Sequence, residues 1–243
     1  MSEIIEINNK NSVKPKKYYA RTLSVYPISN RFSFENKQAC FLGISLENKN
    51  FTPEKFLAMT KWINQRFSHC QILIGDSIHR ITVGINKGLA PEQAYSHAME
   101  LGQSYIQQTK SVLAQQQYQT EFSFITCDEI QKSAEYHHNY NSLETLYSYS
   151  SQFKKTVEDF ALHFHRQHWD QLNEPQKQYC IHQSSHYFLE ELAVFASLSQ
   201  QKNDIMIYPG SLDALGEIVE GKHQDIVEGL KQLTVVSLTL KRR

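Results

Sequence analysis

Short and long apolar runs alternate along the chain, and this alternation predicts its secondary structure. Short runs bounded by glycine, proline or polar residues predict buried strands, at 40–44, 70–74, 121–126, 204–208 and 234–240. Longer segments with apolar residues at every third or fourth position predict helices, near 53–67, 91–117, 128–138, 142–169, 175–199 and 212–220. Residues 25–28 predict one further short extended piece.

Strands that alternate with helices indicate the fold class. We expect an α/β fold with a doubly wound, mostly parallel sheet, which is a Rossmann-like arrangement. A chain of 243 residues has room for one such domain, and we take residues 1–243 as a single domain. Residues 1–19 are polar and contain clustered lysines, so we expect them to form a flexible basic arm that can contact phosphates.

Composition gives few hints about partners. The chain carries 25 basic and 25 acidic side chains, so its net charge is no evidence for nucleic-acid binding. No apolar run approaches the roughly 20 residues of a membrane helix, and we expect no membrane contact. The four cysteines, at 40, 70, 127 and 180, lack metal-site spacing. We expect reduced thiols in a cytoplasmic protein.

A histidine group near the end of the helix at 142–169 invites a metal-site hypothesis. His165 and His168 are three residues apart and His163 is close by, but no neighbouring cysteine completes a ligand set. We expect structural or surface roles for these histidines, and neither a metal nor another cofactor.

Candidate chemistry begins where the first strong strand ends. In an open parallel sheet, ligands bind outside the carboxyl ends of the strands. Ser45 stands at such an end, directly after the apolar run that contains Gly43, and Pro53 then suits the first position of a helix. Asp76 and Arg80 follow the next strand, and a loop salt bridge between them is the simplest interpretation.

The helix predicted at 175–199 carries a second chemical pair. Tyr187 and Glu191 are four residues apart, so they stack on one helix face. A phenol and a carboxylate placed in this way can hold an ammonium group and move its proton. Glu190 points about 100° away from Glu191, and we expect it to face solvent.

Three motifs together resemble one enzyme family. The segment Gly43-Ile-Ser45-x-x-Asn48 resembles the nucleophile motif of the tRNA-dependent cyclodipeptide synthases, and Tyr187-x-x-x-Glu191 resembles their Tyr-x-x-x-Glu signature. The pair Tyr208-Pro209 resembles the tyrosine-proline pair of one branch. The motifs occur in the family's order, and the resemblance spans most of the chain.

The resemblance implies roles for individual residues. Ser45 would take the aminoacyl group from an aminoacyl-tRNA, Tyr187 and Glu191 would position the amino group, and Tyr208 would help proton transfer during cyclisation to a diketopiperazine. Gly43 would allow close approach of the substrate and Asn48 would support the Ser45 loop. The looser implications concern the pocket for the first amino acid, which would be lined by Phe41, Val194 and Met206.

The resemblance also implies partners and a fold relationship. Two aminoacyl-tRNAs would be the substrates, and ATP is not needed because each amino acid arrives as an ester. The family fold resembles the catalytic domain of class I tyrosyl- and tryptophanyl-tRNA synthetases, although this chain lacks the His-x-Gly-His and Lys-Met-Ser-Lys-Ser signatures. In the family the helix equivalent to 91–117 is strongly basic, but here Lys110 is nearly alone after Lys87. The expected tRNA contacts therefore come from scattered lysines: Lys14, Lys16, Lys17, Lys87, Lys110, Lys154 and Lys155.

Two other functions are compatible with the same residues. An α/β serine hydrolase or acyltransferase could use Ser45, with His182 or His186 as its base, but Glu47 replaces the second glycine of the hydrolase motif Gly-x-Ser-x-Gly. A non-catalytic module with a synthetase-like fold is the other alternative. The sequence leaves the incorporated amino acids and the oligomeric state open.

Overall fold

A six-stranded sheet forms the centre of the molecule. The computed structural model describes residues 17–166 and 169–242. In this part of the chain the strands are β1 (Tyr18–Tyr26), β2 (Ala39–Ile44), β3 (His69–Ile74), β4 (Glu121–Thr126), β5 (Ile205–Pro209) and β6 (Thr234–Arg242). Their order is β1-β6-β5-β2-β3-β4, with β2 to β6 parallel and β1 antiparallel to β6. The expected α/β fold with a mostly parallel sheet is confirmed.

Helices connect the strands and cover both faces of the sheet. They are α1 (Pro53–Asn64), α2 (Asp76–Lys87), α3 (Pro91–Ala114), α4 (Cys127–Ile130), α5 (Ala134–Tyr149), α6 (Ser151–His165), α7 (Glu174–Gln200), α8 (Asp213–Val219) and α9 (Glu228–Gln232). None of the helices in residues 17–166 and 169–242 combines the length and apolarity needed to cross a membrane.

Several elements differ from the sequence-based prediction. The break predicted between 138 and 142 lies instead at Ser150, whose hydroxyl caps α6 by accepting a hydrogen bond from the Phe153 amide. Helix α2 was not predicted, because its apolar positions are sparse and only Ile78 and Val83 among them are buried. Strand β1 is longer than the piece predicted at 25–28, because its pairing with β6 supplies the hydrogen bonds that its polar residues need.

Alternation along β2 decides which side chains face which layer. Cys40, Leu42 and Ile44 belong to the core cluster that contains α1 and α3. Phe41 belongs to the other cluster, which contains α5, α6 and α7. Because strand side chains alternate with a period of two, Gly43 and the following Ser45 share the face of Phe41. The serine is therefore directed toward the α7 side of the sheet.

The order of the strands creates a crevice beside β2. Through α1, α2 and α3 the chain builds the sheet outward from β2 to β3 and β4, and after α7 it returns to place β5 on the opposite side of β2. The connections therefore change direction between β2 and β5. Open parallel sheets bind ligands at such a switch point, outside the carboxyl ends of the strands. Ser45 follows β2, and Tyr208 lies near the end of β5.

Candidate active site

A cavity of about 580 Å³ opens at the switch point between β2 and β5. Its walls include all four side chains that the sequence predicted to be catalytic, which are Ser45, Tyr187, Glu191 and Tyr208. The turn after β2, helix α7 and strand β5 supply them. Gly43, Asn48 and Met206, three of the five predicted substrate-binding residues, also line the cavity. The volume is in the range of small-molecule sites.

Tyr187 and Glu191 form a hydrogen-bonded pair in this cavity. The Tyr187 hydroxyl donates to Glu191 Oε1 at 2.9 Å, across one turn of α7. Burial raises the pKa of the Glu191 carboxyl to about 7, and the hydrogen bond from Tyr187 acts in the opposite direction. Burial and the neighbouring carboxylate raise the pKa of Tyr187 well above its usual range. Glu191 can therefore exchange a proton near neutral pH, while Tyr187 stays protonated as a donor.

Ser45 and Tyr208 meet at the mouth of the switch point. Burial raises the pKa of the Tyr208 phenol, and a side-chain hydrogen bond with Ser45 opposes that rise. Phe51 packs edge-on against Tyr208, with the ring centroids 5.6 Å apart. The phenol is thus held next to the serine hydroxyl, where it can donate to or accept from the reacting oxygen.

The turn after Ser45 has a specific backbone shape. Glu47 adopts a left-handed conformation, with φ of 57°. Asn48 then caps a short 3-10 helix, because its Oδ1 accepts from the Asn50 amide at 2.9 Å. The amide of Gly75 donates to the Ile44 carbonyl at 3.1 Å and ties the turn to the end of β3. In this geometry Asn48 supports the Ser45 loop.

Two residues of the predicted pocket for the first amino acid do not line this cavity. Phe41 and Val194 are fully buried in the core and do not line the cavity. Leu73, Cys127 and Phe195 line it instead, together with Met206. Consecutive residues of a helix point about 100° apart, so the turn of α7 that presents Glu191 presents Phe195 and not Val194. The position of Phe195 could have been predicted from the sequence, because it lies four residues after Glu191, just as Glu191 lies four residues after Tyr187.

Glu190 does not face solvent as expected. It is 7% exposed, and both its carboxylate oxygens accept from Arg80, at 2.8 and 2.6 Å. Gln131 donates a further hydrogen bond to it at 3.0 Å. The anticipated Asp76–Arg80 bridge is wrong, because Asp76 accepts from the amides of Ser77 and Asp128. Helix α7 is enclosed on nearly all sides in this stretch, so it offers no solvent-facing position there.

The lysines predicted to contact tRNA differ in exposure and in whether they form ion pairs. Lys14 and Lys16 lie outside the described residues, and Lys17 is exposed. Lys154 and Lys155 pair with Glu158 and Asp159, at 3.9 and 2.7 Å. Lys87 pairs with Glu47 at 3.3 Å, and Lys110 lies 5.7 Å from the ring centre of Phe124. Three of these lysines therefore already have acidic partners.

The candidate histidines are also separated. His165 is buried and hydrogen-bonds to Ser184 Oγ at 2.7 Å, whereas His163 lines the cavity. His168 lies outside the described residues, and in residues 17–166 and 169–242 no group of three His, Cys, Asp or Glu side chains could hold a metal ion. His182 and His186 pack on each other at 4.5 Å and do not line the cavity with Ser45, which disfavours the hydrolase alternative.

Comparison with solved structures finds relatives that share this fold. The chain resembles a cyclodipeptide synthase from Fluoribacter dumoffii, with a TM-score of 0.76, 22% identity and coverage of 94% of this chain and 100% of that one. It also resembles a Mycobacterium tuberculosis protein whose structure relates cyclodipeptide synthetases to type I tRNA synthetases (TM-score 0.68, 11% identity, coverage of 96% and 99%). A third relative is a cyclodipeptide synthase from Candidatus Glomeribacter gigasporarum bound to Phe-tRNAPhe (TM-score 0.61, 17% identity, coverage of 84% and 87%).

The sequence itself matches a family model. A comparison with the sequences of curated proteins finds no match. The model that matches describes cyclodipeptide synthases, and it covers residues 28–221. That range contains every residue that lines the cavity between β2 and β5. The chain belongs to the cyclodipeptide synthase family.

Proposed function

We propose that this protein is a tRNA-dependent cyclodipeptide synthase that works through an aminoacyl group bound to Ser45. The observation that carries the proposal is the convergence of Ser45, Tyr187, Glu191 and Tyr208 on one cavity. Membership of the family and the fold shared with a relative bound to Phe-tRNAPhe support the choice of substrate. We assign the chain to the Tyr-Pro branch, because Pro209 follows Tyr208.

The first step transfers an ester. Ser45 Oγ attacks the carbonyl carbon of the aminoacyl-tRNA, the bond to the terminal ribose oxygen breaks, and that oxygen leaves with the proton that the serine loses. Tyr208 is beside the serine and can relay this proton. One ester replaces another, so the free-energy change of the reaction is small and the step needs neither ATP nor a metal ion.

The second and third steps use the amino groups. Glu191 takes a proton from the ammonium of the Ser45-bound residue, and the free amine attacks the carbonyl of a second aminoacyl-tRNA. A peptide bond forms, the bond to the ribose oxygen of the second tRNA breaks, and that oxygen leaves with the proton that the attacking nitrogen loses. The new terminal amine then attacks the Ser45 ester, which closes the diketopiperazine ring and returns the serine hydroxyl. A carboxyl whose pKa is about 7 suits this proton transfer.

The charge of the described surface suggests where tRNA lies. Strand β6 pairs with β5 up to Leu238 opposite Pro209, and then runs four residues further beside the start of β1. At about 3.3 Å per residue, the two strands extend roughly 13 Å beyond the edge that holds Ser45. We call this extension the basic ribbon; its cations, with one from α1, are Lys17, Arg21, Lys55, Lys241 and Arg242.

The basic ribbon is free to bind phosphates. Within the described part of the chain, none of its five cations forms an ion pair. Lys55 lies 5.5 Å from the ring centre of Tyr18 and donates to the Lys49 carbonyl, so it links the ribbon to the loop after Ser45. Unpaired cations beside the cavity are suited to the backbone of an acceptor stem. We therefore add this surface to the lysines predicted from the sequence.

The test is synthesis of cyclic dipeptides from charged tRNAs, followed by mass spectrometry. We expect product with the wild type and none with Ser45→Ala, and a labelled aminoacyl group should be trapped on the wild type alone. Ser68→Ala is the matched control, because Ser68 precedes β3 at the opposite edge of the sheet. Undiminished synthesis by Ser45→Ala would overturn the proposal.

A further inference from the structure

Helix α2 contacts both the loop after Ser45 and helix α7, although it does not line the cavity. The cavity wall includes Gly75, directly before the helix, and no residue of α2 itself. Two consecutive residues of α2, His79 and Arg80, reach in different directions. One contacts the loop after Ser45, and the other contacts α7 beside Glu191. These two contacts can be examined separately.

Arg80 holds α7 through a two-pronged ion pair. Its Nη1 and Nη2 donate to Glu190 Oε2 and Oε1, and the Arg80 side chain is 32% exposed while that of Glu190 is 9% exposed. Gln131 completes the shell of Glu190, and Ser77 donates in turn to the Gln131 side chain at 2.5 Å. A planar guanidinium bound at both nitrogens restricts rotation as well as distance. Since Glu190 and Glu191 are adjacent, the same contact sets the direction of Glu191.

His79 holds the turn that carries the nucleophile. Its Nε2–H donates to Glu47 Oε2 at 3.1 Å, and the His79 side chain is 6% exposed. Glu47 occupies the left-handed region, where glycine would be less strained. The His79 contact, together with Lys87 at 3.3 Å, stabilises a side chain in that position. Glu47 is two residues from Ser45, so the contact restricts where the hydroxyl lies.

We propose that His79 and Arg80 are positioning residues that hold the nucleophile and the proton-accepting carboxylate in register with each other. The inference rests on the proposed function, since it assigns Ser45 and Glu191 their chemical roles. Both anchors belong to one turn of one rigid helix, so the separation between the Ser45 turn and the Glu191 face of α7 is set by the backbone of α2. Near-attack geometry depends on such separations.

The contacts made by His79 and by Arg80 should affect different steps of the reaction. Loss of the His79 contact should slow aminoacyl transfer to Ser45. Loss of Arg80 should slow the later step that needs a free amine, and it should also leave the Glu190 charge beside Glu191. Among the titratable groups that share the cavity with Glu191, Tyr187, Tyr208 and Cys127 stay neutral near pH 7 because burial raises the pKa of each. The others lie on the walls formed by α6 and α8, and they are Asp159, His163, Asp213 and Glu217. The uncompensated Glu190 carboxylate would then raise the pKa of Glu191.

The experiment compares Arg80→Met and His79→Ala with Arg66→Met. Arg66 forms a single, more exposed ion-pair contact with Glu35 at 2.8 Å, and it lies just before β3 at the opposite edge of the sheet. Single-turnover aminoacylation of Ser45 and formation of cyclic dipeptide are measured separately, across pH, at equal folded fraction. We expect His79→Ala to slow the first step at least tenfold. Arg80→Met should slow only the second at least tenfold, with its pH profile displaced upward and Arg80→Lys partly restoring the rate.

Two outcomes would overturn the inference. In one, the rates of both steps in Arg80→Met and in His79→Ala stay within twofold of the rates in Arg66→Met. In the other, the two steps fall equally with an unchanged pH profile, as a purely structural role would predict. If Arg80→Met fails to fold, the double variant Arg80→Met with Glu190→Leu removes both charges, and it must still be slow in the second step. A wild type that makes no cyclic dipeptide would overturn the proposed function itself, which is a distinguishable result.

Discussion

The Tyr187 hydroxyl donates to Glu191 Oε1 at 2.9 Å inside a cavity that also contains Ser45. The protein encloses both side chains except where they open onto this cavity, so the carboxyl has little solvent to stabilise its charge. The pair therefore combines a phenol that remains protonated with a carboxyl that titrates near neutrality.

Activity should rise with pH through the titration of Glu191. Burial raises its pKa to about 7, and only the ionised form can take a proton from the substrate ammonium. We expect the rate of peptide-bond formation to increase about tenfold per pH unit below 7 and to level off above it. The rate of aminoacyl transfer to Ser45, measured alone, should not show this increase below pH 7. A rate independent of pH between 5 and 8 would contradict the assigned role.

Glu191→Gln should stabilise the fold increasingly as pH rises. The folded-state pKa lies above the ordinary value of about 4.5, so wild-type stability is complete below that value and is lost as pH rises through about 7. A glutamine does not titrate, and its amide oxygen can still accept from Tyr187. Relative to wild type, the variant should gain up to about 3 kcal/mol between pH 4 and pH 8. Urea unfolding at both pH values measures this, with Glu228→Gln as an exposed control.

A pair of glycine substitutions should separate activity from stability. A Cβ at Gly43 would lie 3.4 Å from Met206 Cε and 3.5 Å from Tyr208 Cδ2, so Gly43→Ala should fold normally while it narrows the cavity. We expect reduced synthesis at unchanged melting temperature. A Cβ at Gly102 would lie 2.7 Å from the Cβ of buried Asp76, so Gly102→Ala should lose about 1–3 kcal/mol of stability. Full synthesis by Gly43→Ala would show that this space is not used by the substrate.

Charge reversal in the basic ribbon should weaken tRNA binding. Arg21→Glu with Lys241→Glu removes two cations that form no ion pair within residues 17–166 and 169–242, and it adds two charges that repel phosphates. Affinity should therefore fall at least tenfold and the salt dependence should flatten. Lys154→Glu with Lys155→Glu should have a smaller effect, because those lysines already have acidic partners. Filter binding at several salt concentrations measures both. Lys231→Glu is the control, since Lys231 pairs with Glu228 at 3.8 Å. Equal losses in the ribbon and control variants would exclude this surface.

Most of the sheet could be predicted from local patterns. The parallel strands bury both faces, so they appear as short apolar runs that can be recognised without knowledge of their neighbours. Edge strand β1 was predicted too short and helix α2 was not predicted at all, for the opposite reason. Their residues are largely polar, and they are stabilised by partners that are distant in sequence, as in the pairing of Tyr18 with Arg242.

The features of this protein that could be predicted without its structure are those with a local cause. The strand before Ser45 and the four-residue spacing of Tyr187 and Glu191 follow from side-chain periodicity alone. Long-range packing and pairing, by contrast, place Glu190 against Arg80, Phe195 rather than Val194 in the cavity wall, and the basic ribbon beyond the end of β5. The orientation of α7 depends on free energies of packing and charge pairing between segments that are distant in sequence, such as Arg80 and Glu190, which are 110 residues apart, and no local pattern contains these.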